Sequence, residues 1–119
     1  MSENADPDAA RRYYELVDDD DVEGILGLFS ADAVYERPGQ PTIEGRADLR
    51  GFYETGRPLS DGEHTVHAVV ADGDTVAVRG SFEGEQDGER VAFGFADFHE
   101  FDDDGLIAYR HTYTDRDTV

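Results

Sequence analysis

The apolar residues of this 119-residue chain change period near residue 64, and that change limits how the chain can fold. Before it, the spacing is helical. Asp6 and Pro7 read as a cap followed by proline at the first helical position. Ala9, Tyr13, Leu16 and Val17 then share one helical face. The acidic run 18–21 ends this helix and caps the next, where Val22, Ile25, Leu26 and Phe29 keep i, i+3, i+4, i+7 spacing despite Gly24 and Gly27. Residues 33–37 form a short strand stopped by Pro38 and Gly39. Gly45 precedes a third helix with Leu49, Phe52 and Tyr53 on one face, ended by Gly56, Arg57 and Pro58.

After residue 64 the period is two. Residues 65–71 read as a strand, turned by Asp72 and Gly73 into a second strand over 75–83. Val76, Val78 and Phe82 lie on one face of it; Ala77, Arg79, Ser81 and Glu83 lie on the other. Gln86, Asp87 and Gly88 turn the chain into 90–101, and 102–105 turn it again into a last strand from Leu106 to about Thr114. Helices followed by an antiparallel meander predict an α+β fold, with helices against one face of a curved sheet. No repeat or linker interrupts the pattern, so one domain over 1–119 is expected.

Composition removes several functions. There is no cysteine, so disulfides, thiolate nucleophiles and cysteine metal sites are excluded. All ten cations are arginine, which excludes Schiff-base and phosphate-loop lysines. The net charge of −19, from 18 Asp and 11 Glu, argues against nucleic acid and anionic membranes as partners. Such a surface fits concentrated salt, where carboxylate repulsion is screened. Asp exceeding Glu, with no Lys, resembles cytoplasmic proteins of salt-accumulating halophiles. No segment approaches the ~20 apolar residues of a membrane span, and the first fifteen residues lack a signal-like apolar core. A soluble, cytoplasmic protein is expected.

Familiar motifs are missing. The run 102–105 mimics a calcium loop, but the position that needs Glu holds Tyr113. His64, His67, His99 and His111 have no zinc spacing, and there is neither a nucleophile elbow nor a dinucleotide fingerprint. No metal and no cofactor are expected. What stands out is Asp97, which shares one strand face with Phe93, Phe95, His99 and Phe101. A carboxyl there must ionise beside a cation, accept hydrogen bonds or stay protonated. An ordinary surface acid and a satisfied structural acid are the plain alternatives.

Three segments carry a resemblance: Arg12 to Asp18, Phe29 to Tyr53, and Ala96 to Asp102. They are similar to the ketosteroid isomerase and SnoaL-like cyclase branch of the nuclear-transport-factor-2-like superfamily. The resemblance implies a cone: a strongly curved antiparallel sheet wrapped around three N-terminal helices, with a pocket at its open end. It also implies an oxyanion-hole tyrosine at Tyr13, a protonated oxyanion-hole aspartic acid at Asp97 and a pocket tyrosine at Tyr53. The position of that family's general-base aspartate holds Arg37, with Glu36 beside it. Phe29 stands where the family has a buried tyrosine, and Arg110 takes an apolar pocket position.

An arginine at 37 is expected to act as charge partner to Asp97, favouring a carboxylate that serves as acid or base. His99, two residues on, shares that face and can take part in proton transfer. Arg37 and Arg110 can instead clamp an anion in a fork, while Tyr35, Phe52, Tyr53, Phe82 and Phe95 are expected to line the ligand pocket. The leading expectation is therefore a small-molecule-binding protein, with cofactor-independent isomerase or cyclase chemistry next to a carbonyl on an apolar ligand. Two alternatives keep the same fold: a ligand-binding module without chemistry, and a dimeric interaction protein. The resemblance implies a homodimer through the outer sheet face, where Phe98, Tyr109, His111 and Tyr113 are candidates.

The charge generates the first prediction. The melting temperature should rise steadily from dilute buffer to molar sodium or potassium chloride as self-repulsion is screened. A flat melting curve across that range would remove the salt-adapted reading.

Overall fold

A computed structural model describes residues 4–116 and 119. Helix α1 (Pro7–Asp18) starts where expected, with the Asp6 side chain accepting the Ala9 N–H and proline in the first turn. Its buried residues are Ala10, Tyr13, Tyr14 and Val17, while Ala9 and Leu16 are only partly covered. The buried stripe is thus wider than the spacing suggests, because the sheet covers the helix from two sides. Helix α2 (Val22–Leu26) is capped by Asp21, whose carboxylate accepts from Gly24. Phe29, read as its last turn, instead opens strand β1 (Phe29–Glu36). After the two-residue strand β2 (Ile43–Glu44) comes α3 (Gly45–Gly51), which passes into a π-helical turn, Phe52–Gly56.

The meander is longer than the alternation shows: β3 (Leu59–Asp72), β4 (Thr75–Gln86), β5 (Glu89–Phe101) and β6 (Ile107–Thr114). Strand β3 begins well before residue 65 because its register slips at Ser60/Glu63 and again at Val66/Ala68. Each slip breaks the two-residue period that marks a strand in sequence.

All six strands form one sheet in the order β2-β1-β6-β5-β4-β3. The α+β class and the curved sheet with helices on one face hold. One pairing departs from the expected antiparallel pattern: β1 runs parallel to β6, setting Val34 against Tyr109 and Tyr35 against Arg110. A parallel neighbour needs a crossover, and here α3 and the meander supply it. This pairing is invisible to periodicity, yet it delivers β1 side chains beside those of β6.

Inward positions alternate as expected on β4 and β5, with Val76, Val78, Phe82, Phe93, Phe95, Asp97, His99 and Phe101 all buried. Phe98 and Tyr113 remain exposed on the outer face, where Tyr113 stacks on His111 with ring centroids 4.3 Å apart. No helix among the described residues is long and apolar enough to cross a membrane.

Close packing across the bend depends on Gly80, on the inward face of β4. A Cβ there would collide with the main-chain oxygen of Thr65 and sit 2.6 Å from Cζ of Phe95. The first is backbone and the second is the tip of a buried ring, so the strands would have to separate. Gly80→Val should cost about 2 kcal/mol or more, of the order seen for overpacked cores, measured by chemical denaturation in molar salt. A loss below about 0.5 kcal/mol would mean that the bend is not held by this contact.

Candidate functional site

The site is built from strand register. On β5 Asp97 pairs with Thr112 of β6, and its neighbour His99 pairs with Arg110. Alternation turns Asp97, Arg110 and Thr112 to the same inner face. The parallel β1 adds Tyr35, and α1 lays Tyr13 and Tyr14 across them.

Asp97 is 2% exposed and fully engaged. One oxygen accepts from Tyr14 Oη at 2.5 Å and from Arg110 Nη2 at 2.7 Å; the other accepts from Thr112 Oγ1 at 2.5 Å. Burial alone pushes its pKa up, but the Arg110 charge and the hydrogen bonds from Thr112 and Tyr14 outweigh it. The carboxyl is held below its ordinary value and is ionised. Arg110, equally buried, lies over the rings of both Tyr13 and Tyr35, its guanidinium carbon 4.0 and 4.6 Å from their centroids. The expected charge partner of Asp97 was Arg37; the arginine that pairs with it is Arg110.

Hydroxyl directions follow by elimination. Thr112 gives its single proton to Asp97, so towards Tyr35, 3.0 Å away, it can only accept. Tyr35 therefore donates to Thr112 while accepting from Arg37 Nη1 at 2.6 Å. Burial raises the Tyr35 pKa, but Arg110 and Arg37 together overcome it, leaving this phenol more acidic than an ordinary tyrosine. The other phenols differ. Burial raises Tyr13 well above its ordinary value and takes Tyr53 to about 12, and their two hydroxyls share a short hydrogen bond. Tyr14 is raised by burial and by the charge of Asp97.

His99 sits behind this cluster, completely buried. Its Nε2 meets Tyr14 Oη at 3.2 Å, and since Tyr14 donates to Asp97, His99 is the donor there. Burial and the nearby Arg110 lower its pKa to about 3. The ring is neutral at working pH and braces Tyr14.

A small cavity opens on the cluster. Asp97, Tyr13, Tyr35, Arg37, Arg110, Phe82 and Phe95 all line it, whereas His99, Phe52 and Tyr53 do not. Phe52 instead lies under Arg37, 4.6 Å from ring centroid to guanidinium carbon. Arg57, His64, Thr112 and Val119 are also in the wall, with Leu59, Phe93 and Thr114. The free volume is only about 20 Å³, room for roughly one water. His64 is fixed by Asp18, whose two oxygens accept from its ring Nδ1 at 2.5 Å and its main-chain N–H at 2.9 Å. Among the described residues no cluster of His, Asp or Glu is arranged to hold a metal ion.

Sequence reasoning missed Tyr14, Thr112, Arg57 and His64. Thr112 was within reach, because it follows Arg110 at strand spacing. Tyr14 was not, since adjacent helical residues point about 100° apart and only a helix covered on two flanks buries both.

A family model described as a SnoaL-like domain matches residues 10–110. Among solved structures, an LEH-like epoxide hydrolase of Mycobacterium tuberculosis superposes with a TM-score of 0.79 at 23% identity, covering 92% of this chain and 81% of that one. The epoxide hydrolase/cyclase-like enzyme SalBIII, of pyran ring formation in salinomycin, gives 0.78 at 23% identity, covering 90% and 88%. A candidate ketosteroid isomerase of Kribbella flavida gives 0.74 at 29% identity, covering 92% and 77%.

The buried His99 makes a pH prediction. Its folded pKa of about 3 lies below the ordinary value of 6.5, so below pH ~6.5 only the unfolded chain takes up this proton. Stability is unaffected above that point and falls as pH drops towards 3, by roughly 2 kcal/mol at pH 5. His99→Gln should flatten the wild-type loss between pH 6.5 and 4, followed by thermal melts in molar salt. Parallel pH profiles for the two proteins would contradict a buried neutral imidazole.

Proposed function

The chain belongs to the SnoaL-like domain family, and we propose that it binds a small carbonyl compound and moves a proton next to that carbonyl without a cofactor, as an isomerase or cyclase. The observation that carries this reading is the acidified Tyr35 phenol, held between Arg37 and Arg110 within two hydrogen bonds of an ionised, water-shielded Asp97. The fold is shared with cyclases and isomerases, and fold alone does not choose among activities. The chemistry of the cluster supports the choice.

In this scheme Asp97 takes the proton from the carbon beside the carbonyl. The electron pair of that C–H bond moves onto the carbonyl oxygen, giving an enolate. Tyr35 turns its hydroxyl from Thr112 to the enolate oxygen and donates to it, with two guanidinium charges behind it. A carboxylate of low pKa is a weak base, so the reaction depends on strong enolate stabilisation. Preorganised donors in a dry site supply that, at several kcal/mol each. Protonated Asp97 then returns its proton to another carbon of the same framework, which completes an isomerisation; attack of the enolate carbon on a second carbonyl forms a C–C bond and an alkoxide, and return of the Asp97 proton to that oxygen completes a cyclisation.

The test is exchange of carbonyl-adjacent protons with deuterium oxide, followed by NMR for a set of small ketones and β-keto esters in molar salt. Wild type should accelerate exchange. Tyr35→Phe, which leaves the Asp97–Arg110 pair in place, should reduce it about a hundredfold or more. Asp97→Asn should bring it to the buffer rate, but it also strands Arg110 at a cost of roughly 3–5 kcal/mol, so its fold must be checked by circular dichroism. No exchange with any member of the set, or full activity in Tyr35→Phe, would overturn the proposal.

A further inference from the structure

His64 and Asp18 form a pair that the chemistry around Asp97 leaves unused. Strand β3 sets His64 opposite Phe82 of β4, so both side chains face inwards. The His64 ring packs against Phe82, Tyr14 and Phe95, at centroid distances of 4.8, 5.4 and 5.6 Å. Asp18, the last residue of α1, holds it there. One carboxylate oxygen accepts from ring Nδ1 at 2.5 Å, and the other accepts from the main-chain N–H of the same histidine at 2.9 Å. These two bonds fix where the ring lies and which nitrogen carries its proton. A carboxylate accepts, so Nδ1 is protonated and Nε2 keeps a lone pair.

The two inward histidines differ in what their ring nitrogens can reach. On His99, Nε2 is spent on Tyr14 and Nδ1 is sealed away. On His64, Nε2 has no hydrogen-bond partner among the described residues, yet it is not sealed. The side chain is 10% exposed, and the residue lines the same cavity as Asp97 and Tyr35. The titratable groups facing it are Asp18 and Tyr14 from α1, Arg57 ahead of β3, and Asp97 from β5. Burial lowers its pKa and Arg57 adds to that, against the opposing pull of Asp18 and Asp97. The ring is therefore neutral near pH 7, and Nε2 can take up a proton.

One cavity thus holds two proton acceptors, and Tyr14 touches both: its hydroxyl donates to Asp97 and its ring packs on His64. A single base is enough to carry a proton from one carbon to another. A second has work when a proton on oxygen must move as well, and the simplest carbonyl compound with both is an α-hydroxy ketone.

We propose that His64, positioned by Asp18, is a second catalytic base, and that the substrate class is an α-hydroxy ketone. This rests on the proton-transfer reading of Asp97 and Tyr35 given above. Asp97 takes the proton from the carbinol carbon, and that electron pair forms an enediolate whose negative oxygen faces Tyr35. His64 Nε2 takes the hydroxyl proton. The O–H electron pair closes the new C=O bond, while the C=C pair takes the Asp97 proton at the former carbonyl carbon. His64 then gives its proton to the former carbonyl oxygen, now an alkoxide. Both bases are restored, no co-reactant is consumed, and the carbonyl and hydroxyl groups have exchanged places.

The experiment incubates 2-hydroxypentan-3-one with the full chain in deuterium oxide and molar salt. NMR follows deuterium at the carbinol carbon and the appearance of 3-hydroxypentan-2-one, each corrected for the buffer rate. Wild type should do both. In His64→Gln the ratio of rearranged product to deuterium incorporated should fall roughly a hundredfold, the usual worth of a general base. Loss of fold lowers both rates together, so the ratio isolates the proton on oxygen. Asp18→Asn keeps an acceptor but removes the charge that raises the His64 pKa. The acid limb of the same ratio should then move down by about one pH unit. An unchanged ratio in His64→Gln, or an unmoved limb in Asp18→Asn, would overturn the proposal. Carbinol exchange by wild type without rearrangement would overturn it too, and would leave the Asp97–Tyr35 chemistry standing. Neither exchange nor rearrangement, here and with the plain ketones, would defeat that chemistry and the role of His64 with it.

Discussion

The Asp97–Arg110 ion pair is the interaction on which the other contacts in this molecule depend. Two charges, each 2% exposed, sit at 2.7 Å in the aromatic interior. Removing them from water costs several kcal/mol per ion, recovered as lone pairs and protons find partners; the Nε of Arg110 has none among the described residues. Tyr14 and Thr112 complete the carboxylate, and the rings of Tyr13 and Tyr35 both lie against the guanidinium. These groups come from α1, β1, β5 and β6. A slip of one residue in the β5–β6 register would turn Arg110 outwards and leave Asp97 unpaired. The pair therefore selects one register and one seating of α1, although an apolar replacement of equal volume could match it for stability.

Charge is distributed in two opposing ways. The outside carries the acid excess, whereas the inside collects arginines: Arg37, Arg57 and Arg110 all face one small space with a single carboxylate among them. A lysine would serve poorly in this role. Its ammonium is compact, strongly hydrated and readily neutralised by burial, whereas guanidinium stacks on rings and keeps its charge. The absence of lysine from the whole chain fits the acidic surface and the cationic interior equally. An anionic ligand would be repelled by the first and held by the second. Salt screens the exposed repulsion far more than the buried attraction, so high ionic strength favours entry of such a ligand over exclusion.

Much of the fold was legible because the signals are local. Asp6 before Pro7, the acidic run at 18–21 and the alternation through β4 and β5 each describe their own segment. Asp97 stood out for the same reason, as one charge on a face of phenylalanines. Features set by distant segments were not legible. The parallel β1–β6 pairing, the slips in β3 and the choice of Arg110 over Arg37 as partner to Asp97 all depend on how far strands slide past one another. Period two says which face a side chain takes, not which neighbour it meets. Val119 is the extreme case: nothing near it in sequence marks it, and its place follows only from the pocket left by Leu59, Phe82 and Phe93.

The ionisation state of Asp97 decides which mechanism this scaffold can run. The resemblance to ketosteroid isomerase implies a protonated aspartic acid that donates to an enolate, and such an acid needs an apolar site without a cation. Arg110 removes that condition, because at hydrogen-bonding distance its charge outweighs the cost of burying a carboxylate. Donation to an enolate must then come from elsewhere. Tyr14 cannot supply it, since its proton is committed to Asp97 and that charge makes it less acidic. Tyr13 is tied to Tyr53 and raised by burial. Only Tyr35 is driven the other way, by the two arginines that flank it. In the proposed chemistry, placing Arg110 in an apolar position thus exchanges the roles: the aspartate would be the base, and a tyrosine on β1, outside the pair the resemblance implies, would be the donor.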